Sequence, residues 1–272
     1  MPLTWSRPGC CSIVSYRCRP HRQGLTGIIS RGMPMKVHFV VHEAFESPGA
    51  YETWVEERGY EASYSRVYER HAFPDVDNID LLVVLGGPQS PATTVQECPY
   101  FDAAAECQLI AKAVAAQKAV VGVCLGAQLL GEALGARFAH SPEKEIGKYP
   151  ISLTAVGKGN DKIAHFGDLL GVGHWHNDMP GLTENAKILA FSEGCPRQII
   201  EYGPLVYGFQ CHMEFTLDVV ERLIGASESE LATSIGCRFV QQPAALRAND
   251  YAQMNQKLFG FLDKLMAQYS LR

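Results

Sequence analysis

The sequence has no Cys-x-x-Cys pair, no apolar run long enough to cross a bilayer and no excess of basic residues. Each absence removes a class of function. Its nine cysteines are an odd number, irregularly spaced and set mostly in apolar stretches, so a reducing compartment is expected and not a disulfide framework. The expected location is the cytoplasm. A formal charge of −5 offers no basic face, so nucleic acid is not an expected partner, and neither is a membrane. No Walker-type phosphate loop occurs. The first 34 residues lack any acid: they hold Arg7, Arg17, Arg19, Arg22 and Arg31, and the first carboxylate is Glu43. They have no apolar core for a secretory signal. Residues 1–34 are read as an N-terminal extension, disordered or a start-site artefact. Cys10 and Cys11 within it carry no assigned chemistry.

What remains is an ordinary soluble composition, 47% hydrophobic and 19% charged over 272 residues, with ample chain for one large core. From Met35 onward strands and helices alternate. The pattern predicts a strand at 36–42, a helix at 49–59, a strand at 60–68 and a buried strand from Asp80 into Gly86-Gly87-Pro88. An alanine-rich helix at 100–117 precedes the strand Ala119–Val123. Such alternation predicts an α/β fold with a doubly wound, mainly parallel sheet and helices on both faces. Short strands are expected at 146–156, 187–193, 197–202 and 204–210, with a helix near 161–170. Helices at 217–226, 228–236 and 243–269 follow, so residues 35–272 read as a single domain with extra C-terminal helices from about 217.

Val-Gly122-Val-Cys124-Leu-Gly126-Ala-Gln128 places a thiol on a strand-to-helix turn between two glycines. Ligands of a doubly wound sheet gather at the carboxyl ends of its strands, and a residue on such a turn is pushed into that crevice. The glycines remove the Cβ atoms that would collide there, which is the logic of a nucleophile elbow. The following helix turns its N–H groups and positive end toward the thiol, and the N–H of Leu125 is placed to hold an oxyanion. The bland reading is a cysteine that only packs; the glycine placement favours the nucleophile. A base and its orienting group are then required. His212 and Glu214 lie two apart after a strand-like stretch ending at Gln210, and so on one side of an extended chain. Alone this pair reads as a surface turn. At Gly86-Gly87-Pro88 the Gly87 N–H is a candidate second oxyanion donor facing Leu125, although Gly-Gly-Pro is also an ordinary loop.

Gly86-Gly87-Pro88, Gly122-Val-Cys124-Leu-Gly126-Ala-Gln128 and Gly208-Phe-Gln-Cys-His212-Met-Glu214 together resemble the class I (triad) glutamine amidotransferase family, within it the domain found in GMP synthase and its stand-alone relatives. The resemblance runs from about Lys36 to Phe215. It implies the flavodoxin-like fold of that family and hydrolysis of the glutamine side-chain amide through a γ-glutamyl thioester, releasing glutamate and ammonia for an acceptor on another chain. Cys124 would be the nucleophile, His212 base and acid, Glu214 its orienter. Gln128, Gly147 in Glu145-Ile-Gly147-Lys-Tyr-Pro, and His176 or Asn177 in Gly-His174-Trp-His176-Asn177-Asp178 would contact the glutamine. No cofactor is implied. Glu43 and the helix after it are read as scaffold.

Two departures stand out. Met213 occupies the place between histidine and glutamate where the family usually has proline, which bears on loop stiffness. The chain after Phe215 is too short for an ATP-pyrophosphatase or other synthase domain, so the ammonia acceptor is a separate synthase subunit, or the substrate is another γ-glutamyl compound. A γ-glutamyl peptidase or γ-glutamyl-amine hydrolase is therefore the alternative enzyme, and a catalytically idle, metabolite-binding regulatory subunit the alternative of another class. His174, His176 and Asp178, with His212 and Glu214, also have spacings used by metal ligands. Because one site cannot easily serve as thiol triad and metal centre, no metal is expected there.

Overall fold

The computed structural model describes residues 34–272, and the extension at 1–34 lies, but for Pro34, outside the described residues. The first half alternates as its patterning predicts: β1 (Lys36–Val41), α1 (Ala50–Arg58), β2 (Glu61–Arg66), β3 (Leu81–Val84), α2 (Ala103–Ala115), β4 (Ala119–Val123) and α3 (Leu125–Ala133). Gly59, in the left-handed conformation (φ 64°), stops α1, and the Asp102 carboxylate caps α2 by accepting from the Ala105 N–H. The second half adds β5 (Ala139–Leu153), the single turn α4 (Ala155–Lys158), β6 (Leu169–Met179), β7 (Lys187–Phe191), β8 (Ile199–Gly203) and β9 (Val206–Phe209). It closes with α5 (Leu217–Ala226), α6 (Glu228–Thr233), β10 (Phe239–Val240), α7 (Pro243–Ala248) and α8 (Ala252–Ser270).

All strands join one sheet, ordered β10-β5-β7-β8-β9-β4-β3-β1-β2, with β6 paired to β5 off that path. From β2 to β9 the pairing is parallel; from β9 through β8 and β7 to β5 and β6 it is antiparallel. Successive side chains of a strand bury on opposite faces. The cross-sheet row Phe39, Val83, Val121 and Tyr207 enters the core shared with Trp54 of α1 and Phe261 of α8, whereas Val40, Leu82, Val84 and Val120 enter the core shared with Leu109 of α2 and Leu129 of α3. In the second row Gly122 and Gly208 are paired, and a Cβ on Gly208 would come within 3.3 Å of Ala127 on α3. Two glycines side by side thus let α3 lie close on the sheet, directly after the Cys124 turn. The parallel arrangement brings the ends of β1, β3, β4 and β9 to one edge.

Three sequence expectations are corrected. The helix expected near 161–170 is a short 3-10 turn at Ala164–Phe166, stopped by Gly167 (φ 84°), and Leu169 already begins β6. The helix expected over 243–269 is two helices. Asn249 leaves the helical region (ψ 145°) and donates from Nδ2 to Gln241 Oε1, while the Asp250 carboxylate accepts from the Ala252 N–H at the start of α8. The strand expected from 146 begins at Ala139, and its added residues form a bulged ribbon with β6.

Candidate active site

Cys124 stands at φ 50° and ψ −109°, a backbone conformation that a side chain with a Cβ adopts only under constraint. The constraint is visible in its neighbours. A Cβ on Gly122 would sit 2.4 Å from the Gly126 carbonyl oxygen, and one on Gly126 would sit 2.0 Å from that of Val84. The Gly126 N–H donates to Leu85 O (3.1 Å) and the Cys124 N–H to Phe209 O (2.7 Å), so the turn is tied to β3 on one side and to the end of β9 on the other. The thiol, 7% exposed, donates to the carbonyl oxygen of Trp175 at 3.7 Å.

From Phe209 the chain leaves β9 and reaches His212 within three residues. His212 exchanges two backbone hydrogen bonds with Gly173 of β6, its N–H to Gly173 O (2.8 Å) and the Gly173 N–H to His212 O (3.0 Å). Its ring stacks on Phe215 with centroids 4.3 Å apart. Nδ1 contacts Glu214 Oε1 at 2.6 Å, and Nε2 is buried without a hydrogen-bond partner. His212 Cε1 and Cys124 Cβ both converge on Gly86, 3.2 and 3.5 Å from where a Cβ there would be. Burial alone would favour the neutral ring; the Glu214 carboxylate and the Cys124 sulfur outweigh it and hold His212 well above the usual imidazole range.

Glu214 is fixed from two directions. Its carbonyl oxygen accepts from the Ala50 N–H at the start of α1 (2.9 Å), where a Cβ on Gly49 would collide with it. Asn255 of α8 donates to the carbonyls of Met213 (2.7 Å) and Phe215 (3.1 Å) on either side. The helix after Glu43, read from the sequence as scaffold, is therefore scaffold for Glu214 in particular. Met213 itself is buried in the main core.

The Gly86–Gly87 peptide has an equally specific support. The His42 ring Nδ1 contacts the Gly86 carbonyl oxygen at 2.8 Å and its Nε2 contacts Glu106 Oε2 at 2.8 Å, with both side chains almost wholly buried. Against the burial that would favour its neutral form, Glu106 holds His42 above the usual imidazole range, so both ring nitrogens donate. In a trans peptide the N–H of Gly87 then points opposite to the held carbonyl.

Beside the thiol lies a cavity of about 330 Å³. Gly87, Pro88, Gln89 and Phe45 line it from the ends of β3 and β1, Cys124 and Gln128 from the elbow, Trp175, His176, Asn177 and Asp178 from β6, and Leu223, Ala226, Ser227 and Glu230 from α5 and α6. Of the residues expected at a substrate, Gln128, His176 and Asn177 border this cavity. Gly147 does not: it pairs with His174 inside the ribbon at φ 133°, where a Cβ would meet the Gln241 side chain. Leu125 adjoins the site, its Cδ2 lying 2.8 Å from where a Gly87 Cβ would be.

Sequence reasoning missed Glu46, which also lines the cavity, with Oε2 2.3 Å from where a Gly86 Cβ would be. Burial pushes its carboxyl up to about 7, against the opposing pull of His212 and His42. It also missed Glu145, which joins His174 and His176 in a buried group with mutual ligand-atom distances within 4.8 Å. The metal set composed from the sequence, with Asp178, His212 and Glu214, is not brought together. Asp178 pairs with His140, and His212 with Glu214. No signal in a single sequence points to Glu145, because its partners lie on another strand.

The glutamine amidotransferase class-I family model matches residues 49–224. The glutamine amidotransferase-like protein YfeJ of Salmonella typhimurium is 61% identical over 237 residues, covering 87% of this chain and 99% of that protein. GMP synthase of Marinobacter nauticus is 29% identical over 146 residues, 51% of this chain and 27% of that one. The crystal structure of SMU.1228c superposes with a TM-score of 0.83 at 52% identity, covering 85% of this chain and all of that one. No described helix is long and apolar enough to cross a membrane.

Proposed function

The chain belongs to the class-I glutamine amidotransferase family, and from that premise we propose that it hydrolyses the side-chain amide of glutamine through a thioester on Cys124. The observation that carries this reading is the convergence of a thiol on a strained elbow and an imidazole bound to a buried carboxylate at one point, Gly86. Cys124 Sγ forms a bond to the amide carbon, its proton already held by His212, which the Glu214 carboxylate keeps charged. The carbonyl oxygen takes up negative charge between the N–H groups of Gly87 and Leu125. His212 returns the proton to the amide nitrogen, the C–N bond breaks and ammonia leaves. Water, deprotonated by the same ring, then attacks the thioester; the C–S bond breaks, glutamate leaves and the thiol is restored. Glu214 holds the ring and balances its charge in both halves. Gln128, His176 and Asn177 orient the substrate from the cavity wall, and the ammonia passes to an acceptor on another chain.

A second reading, a γ-glutamyl-amine hydrolase, is favoured by the charge of the cavity. Glu46, Asp178 and Glu230 line it and no lysine or arginine does, Lys144 and His140 pairing with Glu230 and Asp178 from outside the lining, which suits a substrate whose leaving amine carries a positive charge. The deciding experiment measures glutamate and amine release from glutamine, from γ-glutamyl amides with a cationic leaving group and from neutral γ-glutamyl peptides. Glutamine turnover with weak activity on the others supports the first reading, and a preference for cationic amides the second. Release from none of them, with and without added synthase subunits, would overturn both and favour an idle metabolite-binding subunit.

A further inference from the structure

Glu145, His174 and His176 take no part in the proposed hydrolysis as a group, yet they meet inside the β5–β6 ribbon, each 6% exposed or less. His174 and His176 are two apart on β6 and share a face, and Glu145 is the cross-strand partner of His176. Their atoms approach closely: His176 Nε2 lies 3.1 Å and His174 Nδ1 3.6 Å from Glu145 Oε2. Gln198, just before β8, brings its amide within 2.7 Å of that oxygen and 3.3 Å of His176 Nε2.

Glu145 Oε2 also accepts from Ser192 Oγ–H at 2.9 Å, yet the protons present leave other atoms of this group without a partner. His174 Nε2 faces the carbonyl oxygen of Tyr149 at 3.3 Å, and a carbonyl only accepts, so the ring proton belongs on Nε2. Nδ1 then turns a lone pair toward a carboxylate oxygen. His176 Nε2 stands between a carboxylate oxygen, which needs a donor, and the Gln198 NH₂, which is one. The two Gln198 hydrogens go to Glu145 Oε2 and Ser192 Oγ, so a proton on His176 Nε2 serves the carboxylate and leaves Nδ1 a bare lone pair. Glu145 Oε1, His174 Nδ1, His176 Nδ1 and Gln198 Oε1 are buried and make no hydrogen bond. Buried polar atoms are nearly always paired, so several orphans in one cluster call for a missing positive partner.

A cation supplies it. His174 Nδ1 and His176 Nε2 both face Glu145 Oε2, so two imidazole nitrogens and one carboxylate oxygen converge. A tetrahedral zinc site with bonds of about 2.0–2.1 Å has ligand-to-ligand edges of about 3.4 Å, and two of the edges here measure 3.1 and 3.6 Å. We propose that Glu145, His174 and His176, with water as the fourth ligand, form a buried binding site for a zinc-like divalent cation. Imidazole and carboxylate donors suit zinc. The ion clasps β5 to β6 next to Trp175, whose carbonyl receives the Cys124 thiol, and fixes His176 in the cavity wall. It performs no step of the hydrolysis.

The test is cobalt(II) titration of the full chain carrying Cys124→Ser, which removes the catalytic thiol as a ligand. The expected result is the visible absorption of tetrahedral cobalt, saturating at one equivalent, with zinc competing for the site and raising the melting temperature. Glu145→Gln, which keeps the side-chain shape, and His174→Ala should each weaken cobalt binding at least tenfold, with folding followed by circular dichroism. Zinc X-ray absorption of the loaded wild-type protein gives an answer that needs no variant: a nitrogen and oxygen shell with two imidazoles is expected. No binding at several equivalents would overturn the proposal and leave a proton as the partner. So would a sulfur shell, or binding unchanged in Glu145→Gln and His174→Ala.

Discussion

The side-chain amide of Asn255 donates to the carbonyl oxygen of Met213 at 2.7 Å. With its second bond to Phe215 O, it grips the carbonyls of both residues that flank Glu214. A helix from the far end of the chain thereby stiffens the loop at the point where the family usually has proline. Asn255→Ala removes the donor from two carbonyls and should cost about 1–3 kcal/mol of stability. The rate of glutamine hydrolysis should fall severalfold as well, because Glu214 loses its support. Asn249→Ala, which breaks a comparable bond to Gln241 at the start of the same helix, is the control. Equal losses of activity in the two variants at 25 °C, with equal melting temperatures, would show that Asn255 has no special hold on Glu214.

Cys124→Ser should abolish turnover and leave the melting temperature within about 1 °C, since a hydroxyl replaces a thiol at nearly constant volume and the elbow conformation is retained. Residual glutaminase activity above a few per cent of wild type would remove Cys124 from the reaction.

His212→Ala and Glu214→Ala should differ in severity. The first loses the proton carrier, and acylation nearly stops. The second leaves an imidazole free to turn or take the other tautomer, a partial defect. Iodoacetamide labelling of Cys124, followed by peptide mass spectrometry, should slow more in the His212 variant than in the Glu214 variant. Cys195 and Cys211 serve as internal references, because burial pushes both thiols up. Labelling of Cys124 at one rate in all three proteins would show that neither residue addresses it.

The half of the site that lies along the chain was legible in the sequence, and the half that lies across it was not. The elbow announces itself because Gly122, Cys124 and Gly126 are spaced by a local turn, and His212 and Glu214 because alternate residues of an extended segment share a side. Pairing β4 with β9 then brings them together, and the parallel order expected from the strand–helix rhythm is what does so. His42, Glu46, Glu106, Glu145 and Asn255 gain their roles only through partners 40 or more residues away, apart from Glu145 whose histidines lie on the next strand of a ribbon. The break in the last helix hid for a related reason. Nothing in Ala-Asn249-Asp250-Tyr forbids a helix, and the bonds that open it run to Gln241 and to the turn before α8.

Glu46 predicts a pH dependence with a definite sign. Its folded-state pKa of about 7 stands above the ordinary glutamate value of 4.5. Between these values the folded protein holds a proton that the unfolded chain has released, so this group's contribution to stability falls as pH rises through that window and is fully lost above it. The groups facing it are His212, His42, Glu214 and Glu43. Glu46→Gln should match wild type in melting temperature near pH 4.5 and exceed it near pH 8. A difference that stays constant from pH 4.5 to 8 would mean that Glu46 ionises in the fold as it does in the unfolded chain. If cationic γ-glutamyl amines are the substrates, the same variant should raise their KM above that for glutamine.

The pair His42 and Glu106 carries the prediction about the oxyanion. Neither side chain lines the cavity, so a change in either cannot remove a substrate contact. Their hydrogen-bonded path to the chemistry is the Gly86 carbonyl, held 2.8 Å from His42 Nδ1, besides the charge His42 presents to Glu46. While that carbonyl is held, the Gly87 N–H is directed the other way, toward the charge that develops on the substrate oxygen. Glu106→Gln keeps the volume but withdraws the charge that keeps His42 protonated, so the ring can lose one of its two donated protons. The expected outcome is a loss in kcat of about tenfold to a hundredfold, below the cost of removing an oxyanion donor outright, with KM changed less than threefold. The kcat of the variant should also begin to fall at a lower pH than that of wild type, as His42 deprotonates. A purely structural role for the pair would lower the melting temperature and the amount of active enzyme while leaving kcat per active site, titrated with iodoacetamide, where it was.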